Sequence, residues 1–330
     1  MRAMLLEKPA KIESKPLKLV DLEMPTISKD ELLIRIKSCG VCRSNLHLIE
    51  GDWLKYGIPP KLPIIPGHEI VGIVEEIGED VRYFKKGDRV GIQPLYESCL
   101  NCDYCLTGNE HLCDNRRITG DTENGGYAEY ISIREQFAYK IPDGINDVEA
   151  APLFCPGVTA YRAVKLAELN PNERVGIFGI GGVGHIALQI AKLYNARVVA
   201  VTRSKLHQEV AEKLSADEIY SSNDDLGLLD KAIIFAPSDE AISKAIRSVK
   251  KKGTIILGVF GSIGDDFMFI DEKIIKGSVI GSRKDMRDVL TLASRGLIKI
   301  ITKEFPLEDA NEVLEALKYS RIEARAVLKV

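Results

Sequence analysis

The chain has 330 residues, of which 45% are hydrophobic and 28% charged, with a formal net charge of −3. This length and balance predict two folded domains with an ordinary apolar core and exclude a disordered chain. The near-neutral charge, without a long basic block, argues against nucleic acid and anionic membranes as partners, and no apolar run approaches the ~18 residues that span a bilayer. Glu7, Lys8 and Lys11 stand where a secretory signal would need an apolar run, so the expected location is cytoplasmic. In a reducing compartment, seven cysteines point to metal binding or catalysis rather than disulfides.

The first ~150 residues read as β-rich. Leu17–Leu22 and Leu33–Lys37 alternate apolar and polar residues, which predicts antiparallel strands with one wet face. Ile70–Ile77 and Arg89–Ile92 are further strands, with Gly78 and Gly87-Asp88 as turns. A helical region starts at Asp147–Ala151, and Thr159–Leu169 reads as a helix closed by Asn170-Pro171. From there strands and helices alternate: strand Arg174–Phe178, helix His185–Tyr194, strand Arg197–Val201, helix Gln208–Leu214, strand Lys231–Ala236, helix Glu240–Val249 and strand Thr254–Val259. Such alternation predicts a parallel sheet covered on both faces. An edge strand is expected near 278–282, then helices Lys284–Ser294 and Leu307–Lys318 and a final strand Arg325–Val330.

Two local patterns carry chemistry. Cys99, Cys102, Cys105 and Cys113 place four thiols in fifteen residues, a set able to close a tetrahedral structural zinc site. An iron–sulfur cluster is the rival, but the last gap is seven residues and Asp114, not proline, follows. Gly179-Ile180-Gly181-Gly182-Val183-Gly184 lies between a buried strand and an amphipathic helix, the setting in which GxGxxG cradles a dinucleotide pyrophosphate. A tight turn of small residues is the bland alternative. The next strand ends in Thr202-Arg203-Ser204, where NAD sites usually place an acid for the ribose hydroxyl. An arginine flanked by two hydroxyls suits a 2′-phosphate, so NADP(H) is expected and NAD(H) is less favoured.

Cys42, His68 and Cys155 are too far apart for spacing to pair them. They fall, however, within motifs that run along nearly the whole chain: Gly40-Val41-Cys42-Arg43-Ser44, Gly67-His68-Glu69, the four-cysteine loop, Gly125-Gly126-Tyr127-Ala128-Glu129-Tyr130, Cys155-Pro156-Gly157-Val158-Thr159, the glycine loop and Arg325-Ala326-Val327-Leu328. Together these resemble the zinc-dependent medium-chain alcohol dehydrogenases. The resemblance implies an α/β protein with a GroES-like β-barrel catalytic domain over 1–150, to which 285–330 returns, and a Rossmann doubly wound parallel sheet domain over 151–284, with substrate bound in the cleft between them. It implies two zinc ions per chain: a catalytic one on Cys42, His68 and Cys155, with Glu69 behind it, and a structural one on the four-cysteine loop.

The resemblance further implies that Ser44 takes the substrate proton and that His47 passes it to solvent by way of the nicotinamide ribose. Thr159 and Val183 would press on the nicotinamide, Arg43 and Arg325 would contact the pyrophosphate, and Trp53 would form a wall of the substrate pocket. One departure is Asn45, where the family usually has an aspartate beside the histidine ligand. As an amide it is expected to accept the imidazole N–H without adding charge. Cys39 has no role in the pattern. The expected reaction is hydride transfer between an alcohol and NADP(H), with aldehyde or ketone reduction in reverse. The alternatives are a polyol or sugar dehydrogenase and a non-catalytic nucleotide-sensing relative. Zinc-free quinone or enoyl reductases lack the ligand trio and the cysteine loop. A homo-oligomer is expected, a tetramer over a dimer.

Overall fold

The computed structural model describes residues 1–264 and 268–330. The chain divides into two compact units: Met1–Cys155 with Ser282–Ser294 and Ile300–Val330, and Pro156–Gly281 with Arg295–Lys299.

The first unit is built on a seven-stranded sheet in the order Thr302–Pro306, Arg325–Lys329, Glu31–Gly40, Ile70–Ile77, Arg89–Ile92, Ala138–Lys140, with Tyr130–Arg134 also paired to Glu31–Gly40. Only Thr302–Pro306 and Arg325–Lys329 run parallel. Glu31–Gly40 is the spine. One edge pairs with Ile70–Ile77; the other is shared between Tyr130–Arg134 and Arg325–Lys329. This sharing changes the expected wet face. Leu32, Leu33, Ile34, Ile36 and Cys39 are all buried, and only Glu31, Arg35 and Lys37 stay partly open. The predicted strand was also too short, because hydrophobic alternation signals a half-buried strand and misses a segment covered on both sides. Arg2–Leu6 and Leu17–Asp21 form a separate hairpin, and Leu95–Glu97 pairs with Arg117–Ile118 at the base of the cysteine loop.

The second unit holds six parallel strands in the order Glu218–Tyr220, Arg197–Val201, Arg174–Phe178, Leu229–Ile234, Val249–Leu257, Ile274–Gly277. Numbered by appearance this is 3-2-1-4-5-6, the doubly wound arrangement of dinucleotide-binding sheets. Its core includes Phe178, Val199, Ile234, Ile242 and Ile255. Each such side chain contributes on the order of 1.5–3 kcal/mol on leaving water. Chain order reverses beside Arg174–Phe178, so the crevice where such sheets bind ligands opens at the carboxyl end of that strand. The expected edge strand near 278–282 is displaced. The structure puts it at Ile274–Gly277, and Ile280, with φ of 36°, leaves the extended region. Among the described residues no helix is long and apolar enough to cross a membrane.

Candidate active site and metal centres

Strand register assembles the first site. Cys39 pairs with Ile70, and the Gly40 N–H donates to the Glu69 carbonyl at 2.9 Å. The chain leaving one strand at Cys42 therefore meets the chain entering the next at His68. On the opposite edge Val327 pairs with Gly40 and the Val41 N–H reaches Ala326, which brings Arg325 alongside. The buried 3-10 turn Ala151–Phe154 delivers Cys155.

Ligand atoms of Cys42, His68, Glu69 and Cys155 all lie within 4.8 Å of one another. The Cys42 and Cys155 sulfurs are 3.8 Å apart. That is far beyond a disulfide and matches the edge, about 3.8 Å, of a tetrahedron with ~2.3 Å zinc–sulfur arms. The Ser44 hydroxyl sits at 3.0 Å from Cys42 Sγ and 3.2 Å from His68 Nε2, at the mouth of this set. Hydrogen bonding from Cys155 holds the Cys42 thiol well below its ordinary range, with His68 adding to the effect against the cost of burial. Cys155 is pushed up in turn, since the Cys42 thiolate beside it favours keeping the proton. Burial opposes charge on His68, but Cys42 outweighs it and raises the imidazole overall. A divalent cation that displaces the shared proton satisfies both sulfurs at once, so the donor set fits zinc.

Beneath the set, Arg325 Nη2 donates to both Glu69 oxygens, at 2.5 and 2.6 Å. Burial raises the Glu69 carboxyl above its usual range, and Arg325 pulls it back. Asn45 Nδ2 lies 3.2 Å from His68 Nδ1, while Asn45 Oδ1 accepts from the Cys42 N–H and the Tyr127 hydroxyl, both at 3.4 Å. With the amide turned over, Oδ1 would accept the Nδ1–H of a His68 that holds a metal through Nε2, as expected, and the Tyr127 hydroxyl would accept from Nδ2.

The helix Arg43–Glu50 carries Ser44 and His47, three residues apart and so on one face. The Arg43 guanidinium donates to the Leu317 carbonyl at 3.0 Å. His47 Nδ1 is 2.8 Å from Asp52 Oδ2, and its ring centroid is 5.8 Å from that of Trp53. Trp53 is half-buried rather than a core residue.

The four loop cysteines form a second set with ligand atoms within 4.8 Å. Cys99 is 3.8 Å from Cys105 and 3.5 Å from Cys113. Backbone N–H groups of Asn101 and Cys102 lower the Cys99 thiol to about 6, a preformed preference for thiolate.

In the second unit, the glycine loop follows Phe178 and leads into the helix Gly184–Leu193. A Cβ on Gly184 would lie 1.9 Å from the Gly179 carbonyl, so the loop can close onto its helix only with glycine there. The space over Gly181 is open apart from His207 at 3.8 Å. Phe178 pairs with Val201, which sets Thr202-Arg203-Ser204 next to the loop. Ser204 caps the helix Lys205–Lys213, and Arg203 is exposed.

Residues 28–143 match the alcohol dehydrogenase GroES-like domain, and residues 182–295 match the zinc-binding dehydrogenase family. An alcohol dehydrogenase of Geobacillus stearothermophilus is 41% identical over 329 residues, covering 96% of this chain and 97% of that protein. The chain belongs to the zinc-dependent medium-chain alcohol dehydrogenases. A Sulfurisphaera tokodaii protein named NAD-dependent alcohol dehydrogenase is 35% identical, over 95% of this chain and 96% of its own length. The solved alcohol dehydrogenase of Aeropyrum pernix superposes with a TM-score of 0.92 at 31% identity, covering all of both chains. The GroES-like and Rossmann-like architecture expected from the sequence is thereby shown.

Within this dehydrogenase the structure brings together Cys42, Ser44, His68, Glu69 and Cys155, and in a second place the four loop cysteines. Thr159, in the first turn of Pro156–Ala167, and Val183, just before Gly184–Leu193, belong to the second unit. Arg325 is only 4% exposed, and its Nη2 is bound to Glu69, because a fully buried carboxylate needs a counter-charge. Asp52 and Tyr127 were missed as site residues. Tyr127 stands inside a motif that carried the resemblance, and Asp52 follows His47 by five residues, too weak a signal to separate from a solvated turn.

Proposed function

We propose that the protein is an NADP(H)-preferring zinc-dependent alcohol dehydrogenase that reduces aldehydes or ketones in the reverse direction. The observation that carries this reading is Ser44, hydrogen-bonded to both Cys42 and His68 where these converge with Cys155. Cys42, His68 and Cys155 would hold a catalytic zinc and the four loop cysteines a structural one. Zinc so bound supplies a Lewis acid that stabilises an alkoxide or polarises a carbonyl. The Ser44 hydroxyl is placed to move the substrate's proton, and His47, on the same helix face, to release it. The open glycine loop supports pyrophosphate binding, with Arg43 as a further contact and Thr159 and Val183 against the nicotinamide. Arg203, exposed between Thr202 and Ser204, supports a 2′-phosphate.

The Sulfurisphaera relative, named as NAD-dependent, keeps NAD(H) as the alternative. A polyol or sugar substrate is a further alternative within the same family. The reading also places the protein in the cytoplasm as a homo-oligomer, a tetramer through the edge strand Ile274–Gly277, for which light scattering is the check.

Initial rates with NADPH and NADH against alcohols, aldehydes, ketones and sugars, before and after chelation, test the proposal. NADPH-dependent turnover lost on chelation is expected, with the preference reduced by Arg203→Ala. Equal use of both cofactors would overturn the NADP preference. No turnover by zinc-loaded protein that still binds nicotinamide would favour the non-catalytic relative.

A further inference from the structure

We infer that Lys318 is a positioning residue for cofactor binding: it clamps two helices together so that a helix-end carbonyl holds the Arg43 guanidinium for the dinucleotide pyrophosphate. The inference rests on the cofactor contact read for Arg43 above. Arg43 opens the helix Arg43–Glu50. A cation at a helix start is opposed by the dipole there. What seats it is the opposite pole of a second helix, Ala310–Lys318. The last carbonyls of a helix lack partners within it, and that of Leu317 accepts from Arg43 Nη2 at 3.0 Å. The Ser320 N–H shares the same oxygen at 3.2 Å. The guanidinium makes no other hydrogen bond among the described residues, so most of its fork of N–H donors stays available to an anion.

A carbonyl aims only as well as its helix is held, and the residue after Leu317 holds this one. The Lys318 ammonium donates to Glu50, the last residue of the Arg43 helix, at 2.8 Å and to Glu13 at 2.7 Å. The Glu50 side chain is 4% exposed; it also accepts from the Ile12 N–H at 2.9 Å, and Lys11 Nζ lies 3.4 Å away. Glu13 accepts in addition from the Tyr319 hydroxyl at 2.7 Å. Hydrogen bonds to Glu13 and Glu50 raise Lys318 above its ordinary value, so the ammonium keeps its charge. Lys318 thus ties the carboxyl end of one helix to the far end of the other and to the turn Ile12–Ser14. Neighbouring residues of one helix, Leu317 and Lys318, grip both ends of the other, Arg43 and Glu50.

Without the Lys318 ammonium, Glu50 is a nearly buried charge whose remaining cation, Lys11, stands at 3.4 Å, and the helix ends separate to hydrate it. The Leu317 carbonyl then no longer fixes Arg43. A guanidinium on a free stem must be ordered anew each time a pyrophosphate binds, and affinity falls by that ordering cost.

Fluorescence titrations of the purified protein with NADPH and with NADH read this without turnover. Lys318→Met is expected to raise the Kd for NADPH about fivefold, a share of what a hydrogen bond to a charged group contributes, and Lys318→Arg to restore most of the affinity. Arg43→Ala should raise the Kd about twentyfold, and in that background Lys318→Met should cost nothing further. In initial rates, KM for NADPH should rise in Lys318→Met without a fall in kcat, as when binding alone is lost. Melting temperatures are measured alongside, and Lys318→Gln replaces Lys318→Met if the latter does not fold. An unchanged Kd in Lys318→Met, or the same fold loss with and without Arg43, would overturn the inference. An unchanged Kd in Arg43→Ala would remove Arg43 from the cofactor contacts, and the inference with it, while the rest of the dehydrogenase reading stood. Wild-type protein that bound neither nucleotide would overturn both.

Discussion

Arg325 and Glu69 lie 256 residues apart in sequence, yet one guanidinium nitrogen donates to both carboxylate oxygens under the cysteine–histidine set. The pair is almost wholly buried, with side-chain exposures of 3% and 0%. Removing one partner of such a pair strands a charge in a medium that solvates it poorly. Arg325→Ala is expected to cost about 3–5 kcal/mol of stability, read as a lowered denaturant midpoint. Arg325→Met with Glu69→Gln together should recover much of that loss, since the double change leaves no unpaired charge. A double variant as unstable as the single one would show that the pair does more than neutralise itself.

The two cysteine sets are expected to lose metal independently. Cys155→Ser should remove one zinc equivalent and lower turnover about a thousandfold, the scale of several kcal/mol of lost Lewis-acid stabilisation, while the loop keeps its metal. Cys113→Ser should remove the other equivalent and lower the melting temperature, because the four thiols gather a loop that lies between two short strands, Leu95–Glu97 and Arg117–Ile118. Elemental analysis of both variants after gel filtration is the check. Loss of both metals from either variant would refute independence.

Asn45→Asp adds a negative charge on the Nδ1 side of His68. A more basic imidazole donates more strongly to a metal, which makes the site less electrophilic. The group that ionises during alcohol oxidation should then do so at higher pH, by about one unit. A pH profile of kcat/KM unchanged in the variant would sink this expectation.

In the second unit, two hydrogen bonds from Arg174, at 2.8 and 2.6 Å, lower the Glu218 carboxyl from 4.5 to about 2, with burial opposing and Arg197 assisting. A depressed carboxyl stabilises the fold above its unfolded value and loses that contribution as pH falls through its folded one. The contribution is therefore complete above about pH 4.5 and fades toward pH 2. Glu218→Gln should cost about 2 kcal/mol at neutral pH, as hydrogen bonds to a charged group do. It should also flatten the acid limb of stability between those values. Denaturant titrations at pH 3 and pH 7 decide it: an equal cost at both would rule out the linkage.

Sequence alone determined the parallel sheet, the glycine loop and the cysteine loop. Each is written in neighbouring residues, where spacing has direct geometric meaning. Strands Arg174–Phe178 and Arg197–Val201 fell on their observed bounds because a buried parallel strand is a short continuous apolar run. The edge strand near 278–282 did not, because the left-handed conformation of Ile280 leaves no mark in residue type. Cys42, His68 and Cys155 were legible only through a resemblance. What gathers them is the register of Cys39 against Ile70 and the buried turn before Cys155, and register is set by pairing across the sheet. Tertiary structure alone decided that Arg325 pairs with Glu69, that Asn45 stands against His68, and that Asp52 meets His47. Polar partnerships of this kind depend on where distant segments place single atoms to within a few tenths of an ångström, and hydrophobic periodicity carries no information at that scale.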